Sequence, residues 1–146
     1  MYALVQRGNE PNKGMWSLPG GKIETGESTL IAAQRELWEE TRLGDADGHP
    51  LLEWFDGGPF MSSDSIHRND AGIITHHYVI SQCFCRVPVT TDNPPTLTAC
   101  DDAMDARWWT LSDIQSAVDQ GKASPGIVQV FERAEALHSQ SMLPCK

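Results

Sequence analysis

Between Ser28 and Gly44 the chain carries no proline or glycine, and its apolar residues recur at helical spacing. Leu30, Ala33 and Leu37 share one face, extended by Ile31 and Trp38, and Ser28 is a fitting N-cap. The pattern predicts an amphipathic helix. Elsewhere the pattern reads as strands. Tyr2–Gln6 predicts a strand running into Arg7-Gly8, and Met15–Leu18 a short second one after the turn-rich Asn9–Gly14. Asp45–Pro50 reads as a loop, Leu51–Phe55 as a strand, and Asp56–Asp70, rich in Gly, Ser, Asp and Asn, as a long loop. Gly72–Val87 is the most apolar strand. Ile74, Tyr78, Ile80 and Phe84 fall on one face and Val79, Cys83 and Cys85 on the other, so a central position covered on both sides is expected. Pro88–Met104 reads as a second long loop and Asp105–Thr110 as a strand. Ser112 is expected to cap a helix that stops at Gly121, Pro125 to open a last helix to His138, and Ser139–Lys146 to be a loose tail. No repeat or linker divides the chain, so residues 1–146 are expected to form one domain.

Composition narrows the classes. With 146 residues, 40% hydrophobic and 21% charged, the chain is long enough for a substantial core. Its net charge of −9 and pI near 4.8 argue against broad nucleic-acid or membrane-surface binding. A polyanionic substrate therefore needs local positive charge or a metal. Cys83, Cys85, Cys100 and Cys145 lack zinc-type spacing and read as reduced thiols, Cys83 and Cys85 as small hydrophobes. With no signal peptide and no long apolar span, a cytoplasmic protein without a membrane partner is expected.

The chemistry gathers on the first helix. Glu36, Glu39 and Glu40 stand at i, i+3 and i+4, so their carboxylates share a flank. Each like-charged pair at that spacing costs roughly 0.2–0.5 kcal/mol, small enough for a merely solvated acidic face. A hard divalent cation would remove the repulsion. The approach favours the cation: Trp16-Ser17-Leu18-Pro19-Gly20-Gly21 leads into a tight turn whose glycines let backbone come close to a ligand.

Gly21, Glu27, Arg35, Glu36, Leu37, Glu39, Glu40 and Leu43 together resemble the Nudix box, G-x5-E-x7-R-E-U-x-E-E-x-G-U, where U is aliphatic. Arg42 stands where the family has glycine, and Gly44 is expected to end a slightly longer helix instead. The resemblance implies an α/β fold, a Nudix-like α/β/α sandwich with a mixed sheet. Family members usually have one strand before the strand that begins this chain. Its lack would leave an open edge.

The activity implied is hydrolysis of a nucleoside diphosphate linked to another group, releasing a nucleoside monophosphate. The implied cofactor is Mg²⁺, with Mn²⁺ an alternative. By the family pattern Glu36, Glu39, Glu40 and the Gly20 carbonyl hold the metal, and Glu27 is either an outer ligand or a partner of Arg35. Arg35 orients the glutamates, and Glu36 or a loop carboxylate is the general base. Among Asp101, Asp102 and Asp105, Asp102 is chosen as the loop carboxylate. Gly21, Arg7 and Trp16 are the candidate substrate contacts. Trp16, Trp108 and Trp109 are each suited to stacking a base or to core packing, and one of His76 and His77 is expected to face the core.

The run H-H-Y-V-I-S-Q-C-F-C from His76 to Cys85, followed by D-D-A-M-D-A-R-W-W from Asp101, is similar to the ADP-ribose pyrophosphatase-like branch. That implies ADP-ribose or a related nucleotide sugar as the small-molecule partner. The alternatives are a house-cleaning pyrophosphohydrolase for nucleoside triphosphates and a non-catalytic nucleotide-sensing module. A homodimer is compatible with either.

Overall fold

A computed structural model describes residues 1–44, 52–88 and 94–145. The predicted loop at 45–50, the first residue of the predicted strand at 51–55, part of the loop at 88–104 and the final Lys146 lie outside the described residues. The first strand, β1 (Tyr2–Arg7), has Leu4 and Val5 almost wholly buried. It pairs antiparallel with β2 (Trp16–Ser17) on one side and with the late strand β7 (Ala103–Trp109) on the other. β1 is thus not the open edge expected from the sequence. A parallel bridge from Trp16 to Ala123 extends the β2 side, which makes the sheet mixed in sense.

Two cores lie on opposite faces of this sheet. Helix α1 (Thr29–Thr41) covers one face, where Leu37, Leu43, Leu52 and Trp54 are buried and Cys83, Cys85 and Trp108 pack against them. Helices α2 (Leu111–Asp119) and α3 (Ile127–Ser139) cover the other, around Leu4, Trp16, Ile114, Ala117, Ile127 and Val128. The adjacent residues Trp108 and Trp109 point into different cores, as the two-residue period of a strand requires. The result is the α/β/α arrangement of the resemblance. On α1 itself, Ala32 is buried and Ile31 faces solvent, so Ile31 does not extend the apolar side.

The middle of the chain departs furthest from the sequence pattern. Met61–Arg68, inside the expected long loop, is strand β4, paired antiparallel along its length with β5 (Ile74–Gln82). The polar run M-S-S-D-S-I-H-R carries no amphipathic signal, and only the partner strand makes it extended. Their turn is built by Asn69, whose Oδ1 accepts the amides of Ala71 and Ile73 at 3.1 and 3.0 Å. Far from being central and covered, β5 is exposed at all eight positions from Ile74 to Ser81. Both His76 and His77 are among them, so neither enters the core. The pair β3 (Glu53–Trp54) and β6 (Cys85–Arg86) carries the ribbon's root toward the α1 side.

At the C-terminal end the helices form as the pattern predicts, with shifted caps. Thr110, not Ser112, caps α2 by accepting the Asp113 amide at 3.2 Å. The tail is not loose: Leu143 is buried, the Met142 amide bonds to Leu137, and Cys145 bridges to Phe55. All four cysteines are free thiols, and burial pushes Cys85 up to about 12. Among the described residues no helix is long and apolar enough to cross a membrane.

Candidate active site

Ser28 starts α1 by accepting the Ile31 amide at 3.2 Å. The helix ends at Thr41, earlier than Gly44 would have ended it, because Arg42 itself takes the left-handed conformation, φ 55°. A side chain there costs about 1–2 kcal/mol. The Arg42 guanidinium lies 4.0 Å from the Trp38 ring centre, a contact worth about 0.5–1 kcal/mol at the surface. The carbonyls left open by the exit are met by the incoming loop: Thr98 N–H donates to Thr41 O at 2.8 Å and Cys100 N–H to Glu40 O at 3.2 Å.

Arg35 is the hub of the acidic flank. Its Nε and Nη2 fork onto the two Glu27 oxygens at 2.8 and 3.0 Å. Nη1 reaches Glu36 Oε1 and Glu39 Oε2, each at 2.9 Å, and Nη2 also donates to the Lys22 carbonyl. Arg35 is therefore held firmly protonated, by Glu27 first and Glu36 next, while its hydrogen bonds hold the Glu27 carboxyl below its usual range. The side chains of Glu27, Glu36 and Glu39 are 10%, 13% and 34% exposed. None is splayed into solvent.

The glycine turn closes on the same flank. Gly20 N–H donates to Glu40 Oε2 at 2.9 Å, and a Cβ on Gly21 would strike the Glu36 carboxyl group, 2.6 Å from Oε2. Glu40 is buried, and its pKa is pushed up to about 7. Desolvation is the main cause; the charges of Glu36 and Asp101 add to it, and the Gly20 amide and Arg7 oppose it.

Of the three loop aspartates, Asp101 is the one whose charge reaches Glu40. The Asp102 side chain is exposed, and its backbone carbonyl accepts the Gly8 amide at 2.8 Å. A Cβ on Gly8 would fall 2.6 Å from that oxygen, so glycine is what lets the loop seat on the end of β1. Asp105 is engaged with Arg107, Oδ2 to Nε at 2.7 Å. Asp101 was among the candidates in the sequence but Asp102 was preferred to it; Gly8 was not singled out, although a glycine directly after the first strand was the available signal.

Arg7 stands by the cluster, its charge acting on Glu40 and its Nε donating to Pro11 O at 3.0 Å. Trp16 does not. It is a core residue, edge-on to Trp109 with ring centres 4.9 Å apart, so it has no open face on which to stack a base. Trp108 spends its indole N–H on Pro95 O at 2.7 Å.

Glu36, Glu39 and Glu40 are an all-oxygen donor set, which suits a hard divalent cation. They are drawn onto Arg35 and Gly20 rather than onto one point. Among the described residues no group of three or more His, Cys, Asp or Glu is gathered so as to hold a metal ion.

A family model of the NUDIX domain matches residues 2–131. The chain belongs to the Nudix family. Within it, an ADP-ribose pyrophosphatase of Methanocaldococcus jannaschii is 50% identical over 40 residues, which cover 27% of this chain and 24% of that protein. This Nudix chain superposes on an Ap4A hydrolase binary complex from C. elegans with a TM-score of 0.64 and 16% identity. The match covers 94% of this chain and 85% of that one, a likeness of fold. It also superposes on a bifunctional NMN adenylyltransferase/ADP-ribose pyrophosphatase from Francisella tularensis, in complex with AMP and a manganese ion. There the TM-score is 0.58 at 26% identity, over 94% of this chain but only 37% of the other.

Proposed function

We propose that this Nudix domain is a divalent-metal-dependent pyrophosphohydrolase acting on ADP-ribose or a related nucleotide sugar. The observation that carries the reading is the gathering of Glu36, Glu39 and Glu40 on one flank of α1, with Glu40 and Glu36 against the Gly20-Gly21 turn and Glu36 and Glu39 ordered by Arg35. The two pyrophosphatase relatives support the substrate class.

Glu36, Glu39 and Glu40 would hold Mg²⁺ or Mn²⁺, with the Gly20 carbonyl and Glu27 as further oxygen donors. The bound ion would supply neutralisation of the diphosphate oxygens and acidification of the attacking water. The remaining work belongs to the chain. Arg35 fixes the rotamers of Glu27, Glu36 and Glu39, so that the flank is ordered before substrate arrives. Gly21 keeps the turn close to Glu36, and Arg7 places positive charge beside Glu40 for an incoming phosphate. Water adds to one phosphorus, the bridging P–O bond breaks, and the departing phosphate keeps the bridging oxygen. Glu36 and the loop carboxylates are the candidates to take the water's proton. Asp101, whose charge reaches Glu40, is better placed than Asp102.

The test is product analysis with Mg²⁺ or Mn²⁺. ADP-ribose should give AMP and ribose 5-phosphate, with turnover lost in Glu36→Gln. A preference for nucleoside triphosphates, giving monophosphate and pyrophosphate, would move the activity to the house-cleaning class. A sensing module would turn over neither and would bind nucleotide equally well as the Glu39→Gln/Glu40→Gln variant.

A further inference from the structure

Beside the β1–β2 loop, the β4–β5 ribbon borders an open cleft of about 510 Å³, within the range of roughly 300–1,000 Å³ typical of ligand pockets. Its ribbon wall is aromatic. His67 and His76 are cross-strand partners, and Tyr78 follows His76 on the same face of β5. The His76 and Tyr78 planes lie within 10° of parallel with centres 5.7 Å apart. The His67 ring stands nearly upright to both, at 80° and 72°, with centres 6.4 and 6.0 Å away. His76 and Tyr78 thus make an offset parallel pair, a stacking ledge with His67 set edgewise to it, and the ledge lies outside both hydrophobic cores. Opposite stand the polar side chains of Glu10 and Asn12, able to meet the donors and acceptors on a heterocycle's edge.

The cleft adjoins the acidic flank. Arg7, whose charge acts on Glu40, donates to the carbonyl of Pro11, which lines the cleft. Arg7 is thus the residue that links the acidic flank to the cleft that the rings line.

We propose that His76 and Tyr78, walled by His67, form the subsite that stacks the purine base of the nucleotide. The proposal rests on the pyrophosphohydrolase reading above and adds the residues that recognise the nucleoside end. A ring ledge of this kind accepts any flat base, and the Glu10 and Asn12 side supplies discrimination. Arg68, tied to the Gly72 carbonyl at 3.0 Å, keeps the hairpin end of the ribbon in shape.

The experiment compares the parent, His76→Ala/Tyr78→Ala, and His76→Phe/Tyr78→Phe, which keeps the rings. With ADP-ribose, loss of the ledge should raise KM by about 10-fold or more, with kcat changed far less, and the Phe pair should recover most of the loss. An unchanged KM in the Ala pair, in an enzyme that turns over ADP-ribose, overturns the subsite and leaves the activity standing. If no diphosphate is hydrolysed, the activity reading fails and NMR titration decides the subsite alone. AMP should shift the His76 and Tyr78 ring signals while ribose 5-phosphate does not; equal responses to the two ligands, or none, overturn it. Both positions are solvent-exposed, so the variants should retain the parent's melting temperature.

Discussion

Around Arg35 of α1 three carboxylates, one of them from the turn before the helix, share one guanidinium and a fourth is sealed under a backbone amide; on the β4–β5 ribbon the Asp64–His77 pair stands in water, its side chains 63% and 50% exposed. Both are short polar contacts, 2.8–2.9 Å at Arg35 and 2.7 Å at His77. The difference lies in what surrounds them. Water screens the ribbon pair, which is worth about 0–1 kcal/mol at most. On α1 the neighbours are other carboxylates and little solvent, so each charge depends on the rest. Position within the solvent, more than length of contact, decides how much an ion pair matters.

The contrast can be broken at several points. The largest effect is expected from Arg35→Met, which leaves crowded carboxylates unpaired. Breaking a fully buried pair costs about 3–5 kcal/mol, and the 23% exposure of Arg35 brings this nearer 3. Thermal denaturation in EDTA should show the loss, and added Mg²⁺ should restore part of it by replacing the missing positive charge. Arg35→Lys should recover little, since an ammonium cannot fork onto Glu27 while reaching Glu36 and Glu39.

Next comes the pH dependence of Glu40. Its folded pKa, about 7, lies above the ordinary 4.5, so the folded state binds more protons than the unfolded chain between those values. Metal-free stability should therefore fall as pH rises from about 4.5 to 7, by on the order of 2–3 kcal/mol, and Glu40→Gln should flatten that slope. A flat parent profile would mean that Glu40 is as well hydrated as the ribbon acids. Gly21→Ala should cost about 1–3 kcal/mol by forcing the turn off Glu36, and turnover should fall with it. The smallest effect is Asp64→Asn. Urea denaturation should place it within about 0.5 kcal/mol of the parent; a larger loss would erase the contrast between the two regions.

The same contrast explains how much could be read from sequence. Glu36, Glu39 and Glu40 are brought together by helical pitch alone, so spacing was enough to find them, and Arg35 and Glu27 came with the motif. The exit at Arg42 was misjudged because a cation–π contact with Trp38, invisible in a propensity argument, favours a non-glycine left-handed residue. β4 was missed for a deeper reason. Its residues are polar on both faces, and it is a strand only because β5 lies beside it. The apolar residues of β5 invited a central placement that the fold does not use. Trp16 looked equally fit for a ligand or a core. Only the approach of Trp109 and α2 assigned it to the core. Asp101 could not be separated from Asp102, since which of two neighbours faces the helix depends on the turn between them, where Asp101 takes φ 52°.

The amides of Thr98 and Cys100 finish α1 as though they were its next turn. Mechanically, this makes the segment leading to Asp101 an outrigger of the helix. Any tilt of α1 drags the loop acid with it and keeps the spacing between the two sources of negative charge. Hydrogen–deuterium exchange should find Thr98 and Cys100 as slow as the last helical amides, in a stretch that otherwise has no regular structure.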